Sequence, residues 1–351
     1  MERVIIPTGY MGSGSSAVTD LVSEFKDCKN DFRSFEYIFL HCPDGVFDLE
    51  DKLLRGNNAI RSDEAIRSFE KQMRKLYDKK FWWVGQYKRV IGPGFMTATE
   101  EYIQALTHFH YPGFWYYHEE VNFPMFLKLL VRKPLKWLTL NRVKFKKVLR
   151  YSDGMRISMP TKEEFYAASK EYIRRVIGEI AGGAENVVLD QLILPFNLYR
   201  IDSYFDDGVR CVVVERDPRD LFILNKYSWR QKGTEVPIPC EADEFCEYYA
   251  RMRESEKPCT SEKVLRIKFE DMVYRYDETV EKIEAHLGFT PEMHIRKKER
   301  FDPDLSIKNT QAFRNPAYSD EVKIIEKKLA KYLYDFPFLL ENDPMDSVEF
   351  E

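Results

Sequence analysis

The sequence predicts an α/β fold: a parallel sheet flanked by helices, with a mostly helical insertion at about residues 45–165. Three observations predict it. An apolar run, Val4 to Pro7, leads into a glycine-rich turn and then into helical periodicity. Apolar strands recur at 186–190, 209–215 and 264–271. Helical segments separate or follow these strands, the order that builds a parallel sheet covered on both faces.

The elements follow in chain order. After the first strand and turn, Val18, Leu21, Val22 and Phe25 stand at i, i+3, i+4 and i+7, one apolar face of a helix. Residues 50–110 read as mostly helical, rich in charges and aromatic rings. Residues 163–181 read as a helix stopped by Gly182-Gly183. Asn186 to Asp190 is a short buried strand, and Val209 to Glu215 is apolar enough to be covered on both faces. Val264 to Asp271 is the next strand. Helices follow from Asp277 to Leu287, stopped by Gly288, and from Ser319 to Tyr334, with Ser319 as N-cap. No internal repeat or low-complexity linker divides the 351 residues, which read as one domain.

Composition narrows the function classes. With 44% hydrophobic residues the chain can build a core, and with 32% charged residues it is expected to be soluble. No uncharged apolar run is long enough to span a bilayer. The start reads as a strand rather than a signal peptide, because the glycine turn follows at once. The six cysteines form no CxxC pair and no metal-ligand spacing, which suits reduced thiols in a cytoplasmic protein without a metal site. Net charge is only −4, so anion binding must come from local patches, and no nucleic-acid footprint is expected.

The first such patch is the turn Gly9-Tyr10-Met11-Gly12-Ser13-Gly14-Ser15-Ser16. Its glycine spacing, between a strand and a helix, is that of a phosphate-binding P-loop. Successive backbone N–H groups make an anion nest, and the helix start adds partial positive charge. Gly12 and Gly14 let the backbone approach a ligand, while Ser13, Ser15 and Ser16 add hydroxyl donors. The alternative is a glycine turn that binds nothing. Ser15 occupies the place where ATP-hydrolysing loops carry lysine, which argues against phosphoryl transfer. An atypical P-loop kinase would use Asp190 as its metal-binding aspartate.

The second patch is Arg216-Asp217-Pro218-Arg219-Asp220, directly after an apolar strand. An arginine at a strand's carboxyl end can fork onto a phosphate. Pro218 suits a first helical turn and Asp220 suits a helix N-terminus. Surface arginines on a capped helix are the plainer alternative.

With both motifs in this order, residues 1–25 and about 185–335 resemble the sulfotransferases that use 3'-phosphoadenosine-5'-phosphosulfate (PAPS), nearer their bacterial carbohydrate-type members. The resemblance implies a P-loop NTPase-like sheet. It implies that Gly12 to Ser16 hold the 5'-phosphosulfate and that Arg216 holds the 3'-phosphate. Phe269-Glu270-Asp271-Met272 matches a family strand end of the type Y/F-E-D-L/M. Ser306 to Asn315 matches the basic loop that closes over the cofactor, and brings in Lys308 and Asn309. Two positions depart from the pattern. The loop's usual lysine or arginine is Gly12, so the cation must come from Lys226, Arg230 or Lys308. The family's second-motif serine is Leu224, and its role passes to the adjacent Asn225. Sulfuryl transfer needs neither a metal nor the Walker lysine, so the loop's composition fits it.

The base that takes the acceptor's proton is assigned to Asp190, the only carboxylate between Glu185 and Arg200. Its plainer role is to order a loop or cap a helix; Glu119 and Glu120 are the next candidates. The acceptor side is read from Val121 to Arg150, which has no acidic residue and nine lysines and arginines, interleaved with apolar and aromatic side chains. Three readings stand: a basic helix whose apolar face packs on the core, a peripheral contact with the inner membrane surface, or a site for a carbohydrate or glycolipid acceptor. His108 and His110 read as packing residues. The function expected is sulfuryl transfer from PAPS to a hydroxyl of such an acceptor; the alternative is a non-catalytic nucleotide-binding member.

Overall fold

Valine-rich segments become the inner strands of the sheet. In the computed structural model, which describes residues 3–30, 35–81, 84–113, 123–140, 142, 154–229 and 235–340, β1 (Arg3–Gly9) is followed by α1 (Ser15–Val22) and a two-residue β2 (Cys28–Lys29). A helical stretch comes next: α2 (Val46–Leu54), α3 (Ala59–Asp78), α4 (Tyr87–Val90) and α5 (Gly94–Leu106). Then β3 (Phe109–Tyr111) and β4 (Met155–Ile157) pair antiparallel, with α6 (Phe123–Leu138) on the excursion between them. The helix α7 (Lys162–Ala181) leads to β5 (Asn186–Val188), α8 (Ile201–Tyr204) and β6 (Val209–Glu215). Beyond it come α9 (Pro218–Ile223), α10 (Ala242–Glu254), β7 (Val264–Lys268), α11 (Phe269–Tyr274), α12 (Tyr276–Leu287), α13 (Pro303–Ser306) and α14 (Ser319–Lys328).

The five-stranded sheet has the order β2-β5-β1-β6-β7, and every pair in it is parallel. All carboxyl ends therefore meet at one edge. The chain leaves β1 toward β2 and leaves β6 toward β7. The β1/β6 pair is thus the point where connections diverge, the position at which open α/β sheets place a ligand crevice.

Alternation along β1 divides the core. Val4 and Ile6 pack with Val187, Cys211 and Val213 against α2, α3, α5 and α7. Ile5 faces the other way and packs with Val188, Val212 and Val214 against α1, α11 and α12. The helical stretch expected as an insertion therefore supplies one covering layer of the sheet. Local signals end its helices: Thr161 and Glu164 form a capping box on α7, and Gly182 closes that helix at φ +55°. A third apolar cluster joins α9, α10 and α14.

Several local expectations change. The short strands β2, β3 and β4 carry too few residues to show a period. The segment Phe269 to Met272 opens α11 rather than ending a strand, because Glu270 turns inward to accept from the N–H of Asp217 at 2.8 Å. Ser319 is the first residue of α14, not its cap, and that helix stops at Lys328. Along α6 the described apolar side chains are exposed, among them Phe126, Leu127 and Leu135, so the face they form does not pack on the core. Much of the basic stretch around it, 121–122, 141 and 143–150, lies outside the described residues, as do Glu119, Glu120 and Arg230. No described helix is long and apolar enough to cross a membrane.

Candidate functional site at the carboxyl edge of the sheet

The loop between β1 and α1 folds back tightly on itself. Ser13 donates its N–H to the Tyr10 carbonyl at 2.8 Å, and Ala17 donates to that of Gly14 at 3.0 Å. Gly12 and Gly14 sit at φ +77° and +91°, where an L side chain is strained. Space is short as well: a Cβ on Gly14 would stand 2.8 Å from the Phe269 ring, and one on Gly12 would stand 2.8 Å from the Asn225 amide nitrogen. Gly14 caps α1 without any side-chain hydrogen bond to the first turn, so the N–H groups of Ser15 and Ser16 remain available to an anion.

Opposite the loop, Arg216 emerges from β6 and is almost wholly buried, 5% exposed. Its guanidinium donates to the carbonyl of Gly12 at 3.2 Å and to that of Asn309, and lies 4.6 Å from the centre of the Phe269 ring. Its Nε finds no partner among the described residues, and no described carboxylate comes within ion-pair distance. Burial pushes its pKa down, against the more distant Asp220, Glu270 and Asp217. A buried cation held only by neutral carbonyls and a ring has its charge uncompensated at close range.

Arg219, three residues on, has the opposite surroundings. It pairs with Asp217 at 2.8 Å and Glu326 at 2.9 Å, and stacks 3.9 Å over Phe313. Asp217 caps α9 and also accepts from the N–H of Tyr334 at 2.8 Å. Asp220 accepts from the N–H groups of Gln311 and Phe313, and burial pushes it up to about 7. Burial likewise pushes Glu270 up to about 8. Within the motif, then, Arg216 faces the glycine loop while Asp217, Arg219 and Asp220 fasten the segment 311–334 to the sheet.

The structure brings Asn225 and Asn309 to the same place. Asn225 sits in a π-helical turn, 224–229, donates to the Leu221 carbonyl at 2.8 Å and packs on Gly12. The Oδ1 atoms of Asn225 and Asn309, and the Oγ of Ser13, are buried without a partner among the described residues. With Arg216 Nε they make a group of buried, unsatisfied polar atoms beside the glycine loop. Lys308 is exposed beside Asn309. Lys226 is committed to Glu321 at 2.5 Å.

Asp190 lies beyond the end of β5 and packs beside α1, where Thr19 is its hydrogen-bond partner. Burial and the nearby Glu36 carboxylate push it up to about 8, so it keeps its proton at neutral pH. The residue that reaches the loop is Gln191: its amide donates to Ser15 Oγ at 3.0 Å, and its Oε1 accepts from Thr8 at 2.9 Å. The Gln191 carbonyl meets His41 Nε2 at 2.8 Å. Burial pushes that imidazole down to about 4, so it is neutral and donates. Sequence reasoning passed over Gln191 because glutamine does not titrate. No periodicity points to it, because Gln191 sits in a turn beyond β5 with its backbone at φ +58°.

On the far side of the loop, Tyr10 donates to Glu256 and lies under Arg253, 4.4 Å from ring centre to guanidinium. Glu215 gathers Arg253 at 2.8 Å and Lys268 at 2.9 Å; burial alone would raise its pKa, and these cations hold it below the ordinary value. This network braces the ends of β6 and β7. His108 accepts from the Met159 N–H at 3.0 Å, a structural role. Among the described residues no cluster has the makings of a metal site, and all six cysteines are free thiols. Compared with known proteins, the chain matches no family model and has no significant match among curated proteins.

Proposed function

We propose that the chain is a P-loop-type protein that binds PAPS at this edge of the sheet and transfers its sulfuryl group to a hydroxyl of a carbohydrate or glycolipid. One observation carries the reading: an uncompensated buried arginine, Arg216, stands across a glycine loop from unsatisfied Ser13, Asn225 and Asn309. A ligand with two separated anionic groups suits such a pair of sites. The loop and the α1 N-terminus would hold the 5'-phosphosulfate, with Ser15 and Ser16 donating. Arg216 would hold the 3'-phosphate, exchanging carbonyl partners for phosphate oxygens. PAPS supplies the activated sulfuryl group; the chain supplies placement and donors for the departing phosphate. The acceptor class rests on the family resemblance. Gln191 orients Ser15, and Asp190 serves as base only when ionised.

Calorimetric titration with adenosine 3',5'-bisphosphate, AMP and ATP–Mg²⁺ tests the reading. The bisphosphate should bind most tightly. Arg216→Ala should weaken it by about 1.5–3 kcal/mol, the scale of a hydrogen bond to a charged group, and leave AMP nearly unchanged. Equal losses for both nucleotides, or a preference for ATP–Mg²⁺, would refute the assignment.

A further inference from the structure

The helix α6 breaks the pattern of every other long helix in the fold: its described apolar side chains face solvent. Phe123 is 73% exposed, Trp137 80% and Leu138 70%, and Leu130 and Val131 are exposed too. At about 100° per residue these five positions, with Phe126, Leu127 and Leu135, fall on one half of the helix. Positions 128, 132, 133 and 136, all lysine or arginine, fall on the other half. The helix rides on an excursion whose two ends are clamped by the β3–β4 ladder, where Tyr111 pairs with Met155.

We propose that α6 is a docking element for an anionic lipid bilayer, lying in the plane of the interface with its apolar half inserted. Length decides against spanning: 16 residues extend about 24 Å, short of the roughly 20 residues a crossing needs. Charge selects the partner. Residues 121–150 hold nine basic and no acidic side chains, in a chain whose net charge is −4. That local charge complements anionic headgroups. The aliphatic arc of Leu130, Val131 and Leu138 favours acyl chains over a polyanionic glycan, which would use the basic half and leave this arc in water. Trp137 and Phe123 near opposite ends suit the headgroup level. The proposal stands apart from the nucleotide reading and shares no residue with it.

The test is co-sedimentation of the full chain with vesicles of phosphatidylcholine alone and of phosphatidylcholine with phosphatidylglycerol, at low and high salt. The chain should bind the anionic vesicles at low salt, and salt or neutral lipid should reduce binding by about tenfold or more. Combined Leu130→Ser, Val131→Ser and Trp137→Ser should abolish attachment, with the far-UV circular dichroism unchanged. Arg132→Gln with Lys136→Gln should weaken binding to anionic vesicles and leave residual binding to neutral ones unaltered. Failure to bind anionic vesicles at low salt would overturn the proposal. So would a dimer, detected by light scattering, that the serine variant disperses, since a second copy would then own the apolar face. Binding to an acidic polysaccharide that persists in the serine variant, without vesicle attachment, would assign the segment to a glycan instead.

Discussion

The carboxyl edge of the sheet and the helix α6 break opposite rules of protein burial. At the edge, Ser13, Asn225, Asn309 and Arg216 bury polar atoms without partners. Along α6, Trp137, Leu138 and Phe123 expose apolar surface. Each buried unsatisfied group costs about 1–3 kcal/mol, and each exposed apolar face forgoes roughly 25 cal/mol per Å². The two proposed ligands, of opposite chemistry, would answer these costs: an anion that would supply acceptors, and an apolar phase that would supply cover. Between these extremes lies the cluster of Asp217, Arg219, Asp220 and Tyr334, where charges and N–H groups are matched, and it shows what the same motif does when it serves the fold alone.

The sharpest way to break this comparison is to exchange the fates of the motif's two arginines. Arg219→Ala should destabilise the protein by about 3–5 kcal/mol in urea unfolding, because it strands the wholly buried Asp217 carboxylate. Arg216→Ala should cost less stability, because its direct partners are carbonyls and a ring and it acts on Asp220 and Glu270 only from a distance, while removing the preference for the bisphosphate. If both variants lose stability equally, Arg216 belongs to the scaffold and the nucleotide reading fails.

A smaller effect is expected from the loop. Gly14→Ala forces a side chain into a left-handed conformation at a strain of about 1–2 kcal/mol, and presses on Phe269, which lies 2.8 Å from the new Cβ. Stability should fall by that amount, and nucleotide binding should weaken with it because Phe269 also supports Arg216. Normal binding in a destabilised variant would separate the loop's fold from its function.

The gentlest probe is pH. Asp190 holds its proton in the folded protein to about 8, whereas an unfolded aspartate releases it near pH ~4. Between those values the folded chain binds more protons, so this carboxyl's contribution to stability falls as pH rises from about 4 to about 8 and is level above. Asp190→Asn should flatten that part of the curve, read as a smaller drop in Tm between acidic and mildly alkaline buffer. If Asp190 is also the base, wild-type transfer should rise with pH through about 8 and the variant should lose turnover by roughly 10²–10⁴-fold. An unchanged pH–stability curve would place Asp190 in a wetter setting than the one described.

Much of the candidate site was legible before the fold was known. Gly12, Gly14 and Arg216 announce themselves because left-handed backbone and an arginine at a strand end are local features. Asn225 was reached only by its position in the motif, and its contact with Gly12 depends on a π-helical turn that no periodicity announces. Gln191 and His41 went unread: one does not titrate, and the other is a lone histidine whose meaning lies in a carbonyl 150 residues away. Asp190 was read as an open base, and only burial beside Glu36 reveals a carboxyl that keeps its proton.

The sequence by itself determined what the chain does over short spans: which segments are the longer strands, where Gly182 and Gly288 end helices, and that Pro218 starts one. These choices rest on backbone sterics and periodicity, which act between residues a few positions apart. Tertiary structure decided which polar atoms would be paired. Arg216 meets a carbonyl 204 residues earlier and another 93 residues later, and so escapes the carboxylates beside it in sequence. It also decided that the described apolar side chains of α6 would stay exposed, outside the apolar cluster that joins α2, α3, α5 and α7 to the sheet.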